Sequence, residues 1–170
     1  GRVFFGLDGP RQELTATSRP ALEKLLQELS LHRAPFVGDA RHPLYRAHAE
    51  RWLEANICAD ITRVDAGLDP NFVYAQVFAA TAADRGVLDL LGVTRAGRLA
   101  ILELKAGEHI HLPLQAADYW LRVRHHQLRG DFARYGYFPG MTLQAAPPLL
   151  YLVSPALRFH PSTDTLLRFL

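Results

Sequence analysis

The sequence predicts an α/β domain: a central mixed β-sheet of four or more strands flanked by helices. Three observations carry this expectation. Residues 72–81, 87–94 and 99–104 are successive apolar runs of strand length, rich in Val, Leu, Ile, Phe and Tyr. Segments with helical spacing precede and follow them, at 43–57 and 113–129. A continuous apolar run at 149–153 has the character of a buried strand.

In chain order, 3–7 and 12–16 read as two short strands around the turn cluster Asp8-Gly9-Pro10. Ser18 before Pro20 is a cap-and-first-turn signature. Leu22, Leu25, Leu26 and Leu29 then give an amphipathic helix to about Leu31, closed by Pro35 and Gly38. Residues 1–35 are thus expected to form an N-terminal strand and helix appendage, and 36–170 the main domain. The second helix begins at Pro43. Glu50, Leu53 and Ile57 share one of its faces, and Glu54 lies nearby on the same side. Residues 60–70 read as a loop or broken helix end, with Gly67 and Asp69-Pro70 as punctuation. In the helix opened by Pro113, Gln115, Tyr119, Arg122, His126 and Arg129 form one narrow stripe. Leu114, Ala117, Leu121 and Leu128, with Trp120 beyond them, are expected to form its buried side. Gly130, Gly136, Pro139, Gly140 and Pro147-Pro148 mark an irregular connection, and Ser162 caps a last short helix.

Composition narrows the function. The 170 residues are 49% hydrophobic and 21% charged, so a core can form. A net charge of +2 is too small to argue for nucleic acid, so that case rests on local clustering. Arg122, Arg124, His125, His126, Arg129 and Arg134 supply a cluster suited to phosphate contacts. The single cysteine, Cys58, excludes an internal disulfide and fits a reducing, cytoplasmic setting. No apolar run reaches the roughly 18 residues of a membrane span, and no signal-peptide pattern opens the chain. Gly1 and the apolar end at Leu170 suggest a segment of a longer protein, whose other domains are then candidate partners. GxSxG, Walker A, Rossmann, HExxH and CxxC patterns are absent. His109 and His111 share a face if extended, but a zinc site would need two more ligands.

The informative stretch is the pair of strands at 87–94 and 99–104. Asp89 sits inside the first; Glu103 and Lys105 end the second. Carboxylates are poor strand formers and are rarely buried without a partner. Alternation puts Val87, Asp89, Leu91 and Val93 on one face, and Leu99, Ile101, Glu103 and Lys105 on one face. Asp89 opposes Glu103 if the loop is the three residues Arg95-Ala96-Gly97, which ends in a glycine suited to a left-handed backbone. A two-residue loop would instead oppose Asp89 to Leu104. Two carboxylates on adjacent strands suit a hard cation such as Mg2+ or Mn2+. A lysine on the same face can polarise water or stabilise charge on a phosphate.

Asp89 followed by Glu103-Leu104-Lys105 resembles the core motif of the PD-(D/E)XK nuclease superfamily. Gln115 through Tyr119 resembles the QxxxY element of its RecB-like branch, and Glu50 matches the upstream glutamate. The resemblance spans about Pro43 to Pro155. It implies a restriction-endonuclease-like core and metal-dependent hydrolysis of phosphodiester bonds in DNA. It further implies Asp89, Glu103, Glu50 and the Leu104 carbonyl as Mg2+ or Mn2+ ligands, with Lys105 positioning the attacking water. Gln115 and Tyr119 would brace the site or touch the DNA backbone. Leu88 stands where the family often has proline. His42 and His48 are the candidates for the histidine some members use, although His48 lies about 200° from Glu50 on an ideal helix. The alternative reading is a nucleic-acid-binding module that keeps the fold without catalysis.

Overall fold

The computed structural model describes residues 1–7, 9–33, 39, 41–80, 85–155 and 158–170. Asp8 of the expected turn, the helix-closing Pro35 and Gly38, and Thr81 lie outside the described residues. The chain divides into two compact units, Gly1–Arg51 and Trp52–Leu170.

In the N-terminal unit, β1 (Phe4–Phe5) pairs antiparallel with β2 (Gln12–Glu13). Arg2 reinforces the pair through both carboxylate oxygens of Glu13, at 2.7 and 2.6 Å. Helix α1 (Arg19–His32) follows, with Pro20 in its first turn. Ser18 stands at its N-cap but makes no capping bond; its hydroxyl donates to the Glu13 carbonyl at 2.6 Å and accepts the Thr15 amide at 2.8 Å. The helix expected over 43–57 is broken into α2 (Pro43–Arg46) and α3 (Ala49–Ala59). The break falls at Ala47, whose backbone is extended, and His48, whose φ is +48°. His42 caps α2, its Nδ1 accepting the Leu44 amide at 3.2 Å, and its ring stacks on His32.

The second unit holds a four-stranded mixed sheet in the order β3-β4-β5-β6. Strands β3 (Leu68–Ala80), β4 (Arg85–Thr94) and β5 (Leu99–Leu104) pair antiparallel, and β6 (Leu149–Val153) pairs parallel with β5. Strand β3 starts earlier than the sequence predicts, because Leu68 is buried and pairs with Thr94 despite the glycine and proline around it. A short 3-10 helix at Ile61–Arg63 precedes it. All six residues of β5 are buried, as befits a central strand covered on both faces. One core cluster gathers Leu91, Val93, Leu99 and Ile101 with Val123 and Phe132. The other gathers Leu90, Ala100, Leu102 and Leu104 with Ile57, Ile61 and Leu68.

The β4–β5 turn is the three-residue loop. Thr94 N–H donates to the Arg98 carbonyl and Gly97 N–H to the Thr94 carbonyl, both at 2.8 Å. Gly97 has φ +87°. A side chain there would also overlap the Thr142 carbonyl oxygen, so glycine is required twice over.

Helix α4 (Leu112–Leu128) joins β5 to the short α5 (Asp131–Arg134), and α6 (Thr163–Leu167) follows β6. The orientation of α4 corrects the sequence expectation. Its buried residues are Leu112, Pro113, Ala116, Arg122 and Val123. Leu114, Leu121 and Leu128 are 50%, 62% and 70% exposed. The inner line Leu112–Ala116–Val123 is flanked by the Gln115–Tyr119–Arg122 stripe, whose Gln115 and Arg122 are paired. Gln115 reaches Glu103, and Arg122 is paired with Asp118 on its own helix. Buried polar groups that are hydrogen-bonded carry little of the usual desolvation cost. Trp120 packs against the core as expected, its indole N–H donating to the Pro148 carbonyl at 2.8 Å.

An acid- and base-sensitive clamp ties β6 to the loop before β3. The Tyr151 hydroxyl donates to Asp65 Oδ2 at 2.7 Å. The Gly67 amide and then Tyr151 hold the Asp65 carboxyl below its ordinary range. Burial, reinforced by Asp65, pushes the Tyr151 hydroxyl up to about 12. A depressed carboxyl stabilises the fold above its unfolded value near 3.9, and that contribution is lost as pH falls through the folded value. A raised phenol stabilises below about 10, and its contribution is lost as pH rises toward 12. Asp65→Asn is therefore expected to flatten the acid limb of a urea-midpoint profile, and Tyr151→Phe the limb from about pH 10 upward. Limbs identical to wild type in both variants would disprove the clamp's role.

Candidate active site

The β4–β5 ladder runs Val93–Leu99, Gly92–Ala100, Leu91–Ile101 and Leu90–Leu102. Continued one step, this register sets Asp89 opposite Glu103, the relation the three-residue loop demands. Regular pairing stops there. With Thr94 donating to Arg98, the antiparallel alternation would next bring the Leu104 amide to the Leu88 carbonyl. That amide instead donates to Asp89 Oδ2 at 2.9 Å. A side-chain carboxylate therefore holds the rung where the two strands open.

The other side of β4 shows why. Its pairing with β3 runs Tyr74–Leu91 and Ala75–Leu90, then resumes at Val77–Leu88 and Phe78–Val87. Gln76 stands opposite Asp89 at the missing rung, with φ +53°. Tyr74 and Val77 both pack with the cluster under α4, and so do Leu88 and Leu91. Residues three apart in a regular strand face opposite sides, so both strands reverse their facing at the Gln76–Asp89 rung. The strict alternation expected over 87–93 accordingly fails between Leu88 and Leu90. Gln76 Nε2 donates to Glu54 Oε2 at 2.6 Å, tying the rung to α3.

Glu103 is 1% exposed, and its Oε1 accepts from Gln115 Nε2 at 2.7 Å. Gln115 is thus placed against the carboxylate, and α4 is fixed to β5 at that point. Lys105 is half-buried, two residues beyond Glu103, and its amide donates to the Val153 carbonyl at 2.9 Å, extending the β5–β6 ladder. Leu104 is buried between them. Tyr119 lies over Gly86: a β-carbon there would come within 2.6 Å of the Tyr119 ring. The glycine is the notch that admits that ring.

Three further predicted residues lie on α4 or just past its end. Arg122 is 7% exposed, and its guanidinium grips Asp118 with two bonds of 2.8 Å. His126 Nδ1 lies 2.8 Å from Asp131 Oδ2, and exposed Arg129 lies 3.3 Å from the same oxygen. The hydrogen bond to His126, and then the charge of Arg129, hold the Asp131 carboxyl below its ordinary range. Glu50 is exposed in the first turn of α3 and belongs to the N-terminal unit. Three contributors escape a sequence reading. Asp118 is legible afterwards as an i,i+4 partner of Arg122. Asp131 carries a signal only once α5 is known to turn back on His126. Gln76 carries none, since one amide in an alternating strand looks outward-facing.

The donor set decides what ion could bind. Among the described residues no group of three or more His, Cys, Asp or Glu is placed to hold a metal. That arrangement does not suit zinc, which takes three or four protein ligands. Asp89, Glu103 and the Leu104 carbonyl offer oxygen only. Such a set fits Mg2+ or Mn2+, since Mg2+ keeps several waters and uses one or two carboxylates.

No helix among the described residues is long and apolar enough to cross a membrane. No protein-family model matches the chain, and no curated protein matches it. Among solved structures, the crystal structure of a repair endonuclease from Pyrococcus abyssi is similar over 73% of this chain, at 20% identity and a TM-score of 0.47. The match covers 43% of that structure, so this chain spans less than half of its length.

Proposed function

We propose that the chain is a metal-dependent nuclease that hydrolyses phosphodiester bonds in DNA. The observation that supports this most is the opened rung. The β4–β5 register, continued one step, sets Asp89 opposite Glu103 where backbone pairing ends, Gln115 braces Glu103, and Lys105 follows two residues on. The same residues carry the resemblance to the RecB-like branch of the PD-(D/E)XK superfamily.

In this reading Asp89, Glu103 and the Leu104 carbonyl would hold Mg2+ or Mn2+. The ion would supply Lewis-acid polarisation of the phosphate and of a bound water. The chain does the rest. Asp89 fixes the Glu103–Leu104 peptide through the Leu104 amide, and the Lys105 amide's bond to the Val153 carbonyl fixes the peptide unit that carries the Leu104 carbonyl. Gln115 fixes the orientation of the Glu103 carboxylate. The Lys105 ammonium orients the attacking water and offsets charge developing on phosphate oxygens.

The test is cleavage of labelled single-stranded and duplex DNA with Mg2+, with Mn2+ and in EDTA. Cleavage is expected only with metal. Asp89→Asn is expected to weaken Mn2+ binding by at least about tenfold and to remove activity. Cleavage in EDTA, or full activity in Asp89→Asn, would sink the proposal. A second reading, a nucleic-acid-binding module without catalysis, is favoured by the absence of a third acid or histidine beside the pair among the described residues. It predicts metal-independent DNA binding and no cleavage.

A further inference from the structure

The cavity beside the proposed catalytic rung has a different chemistry. It encloses about 560 Å³ between the β3–β4 edge, α4 and α5. Val77, Leu88, Val123 and Phe132 make an apolar floor, Tyr135 and Tyr137 supply aromatic walls, and Phe78 of the edge strand lines the mouth. His126 and Asp131 form a polar pair within it, 2.8 Å apart.

Its rim is unusual for a surface with no partner. Phe78 is 79% exposed and Tyr135 68% exposed. Large aromatic rings left this open mark recognition surfaces more often than isolated small apolar residues do. Tyr137 is held edge-to-face against Tyr74 and Phe132, at 4.9 and 5.8 Å between ring centroids, so this wall is rigid. The Arg134 guanidinium lies 5.7 Å from the Tyr135 ring centre, and Arg129 is exposed beside Asp131. His126 and Arg129 lie against Asp131, and Arg134 adds a second arginine to the rim.

We infer that this cavity receives an unstacked nucleobase of a single nucleic-acid strand. Aromatic rings stack its face, the His126–Asp131 pair meets its polar edge, and Arg129 and Arg134 contact its flanking phosphates. Flat aromatic ligand, apolar floor and cationic rim are the three requirements of single-strand binding. The placement also agrees. Leu88 on the cavity floor adjoins Asp89, and His126 lies on the same flank of α4 as Gln115, about 16 Å further along at 1.5 Å per residue. A strand held at the cavity would lead toward the rung. The assignment of that strand as a substrate rests on the nuclease reading; the binding itself does not.

The test is fluorescence anisotropy of a labelled oligothymidine strand and of a duplex, in EDTA, with the full chain. Phe78→Ala and Tyr135→Ala are each expected to weaken single-strand binding by about 5- to 150-fold. Duplex binding should change little, and Tyr135→Phe should bind as wild type. An abasic residue at one strand position should erase the difference between Tyr135→Ala and wild type. Equal binding by wild type and both alanine variants would overturn the inference. So would equal losses on strand and duplex, or displacement of the strand by free thymidine monophosphate at matched base concentration. Cleavage assayed separately with Mg2+ tells the two readings apart. Pocket-dependent binding without any cleavage removes the nuclease reading alone. Cleavage with unchanged KM in both alanine variants removes the cavity alone.

Discussion

If the chain is the metal-dependent nuclease proposed above, Lys105→Met is expected to lower DNA cleavage by at least about 100-fold while the fold persists. The substitution keeps an unbranched stem and removes the ammonium. The backbone bond from residue 105 to the Val153 carbonyl is untouched by the change, so the β5–β6 ladder remains. What is lost is positive charge where negative charge grows on the phosphate, and removing one such stabilising group commonly costs two to three orders of magnitude, or about 3–4 kcal/mol. Lys105→Arg should not restore the rate, because a planar guanidinium replaces a compact point charge. The measurements are single-turnover cleavage and a urea midpoint on each variant. A Lys105→Met protein that cleaves within about threefold of wild type would remove the lysine from the mechanism. One that loses activity together with most of its stability would make the lysine structural.

The second large effect is on stability. Gly97→Ala is expected to destabilise the chain by about 2–5 kcal/mol. A left-handed backbone costs a residue with a β-carbon roughly 1–2 kcal/mol, and overpacking adds about 1–3 kcal/mol. The new methyl would strike the Thr142 carbonyl. That neighbour has little freedom to withdraw. The Gly97 carbonyl accepts the Gln144 amide, and Gln144 Nε2 donates to the Ala96 carbonyl, at 2.8 and 2.7 Å. The turn and the 142–144 segment therefore move together or not at all. Urea unfolding of the full chain measures the effect. A loss below about 0.5 kcal/mol, the range of an ordinary surface change, would mean the turn relaxes without strain. Because Gly97 sets the register, a folded variant should also be a poorer nuclease.

Much of this was legible in the residues. Gly97 at the end of a three-residue loop was enough to fix the β4–β5 register, because hairpin register follows turn chemistry. The mixed sheet followed from strand-length apolar runs separated by helical spacing. What was illegible had a common cause: polar residues whose partners are distant in sequence. The pattern of α4 pointed Leu114, Leu121 and Leu128 inward, yet Glu103 draws Gln115 and its flank to that side. The reversal at Gln76 and Asp89 depends on two strands being irregular at the same rung, which neither strand announces alone. His48 broke the expected second helix by adopting a positive φ, a conformation uncommon for residues other than glycine.

The inverted α4 has a consequence for how the chain assembles. The helix's native docking face is recognised by a side chain on β5, and its more apolar face is the wrong one. Until β5 is paired and Glu103 is in place, only the inner line Leu112, Ala116 and Val123 selects the correct side, and collapse through Leu114, Leu121 and Leu128 competes. Folding order is therefore constrained: the β3–β5 meander, whose contacts are local in sequence, must precede productive docking of α4. Transition-state analysis should find Leu91 and Ile101 already packed while Gln115 and Val123 are not. The site proposed as catalytic is thus also the latch that closes the fold.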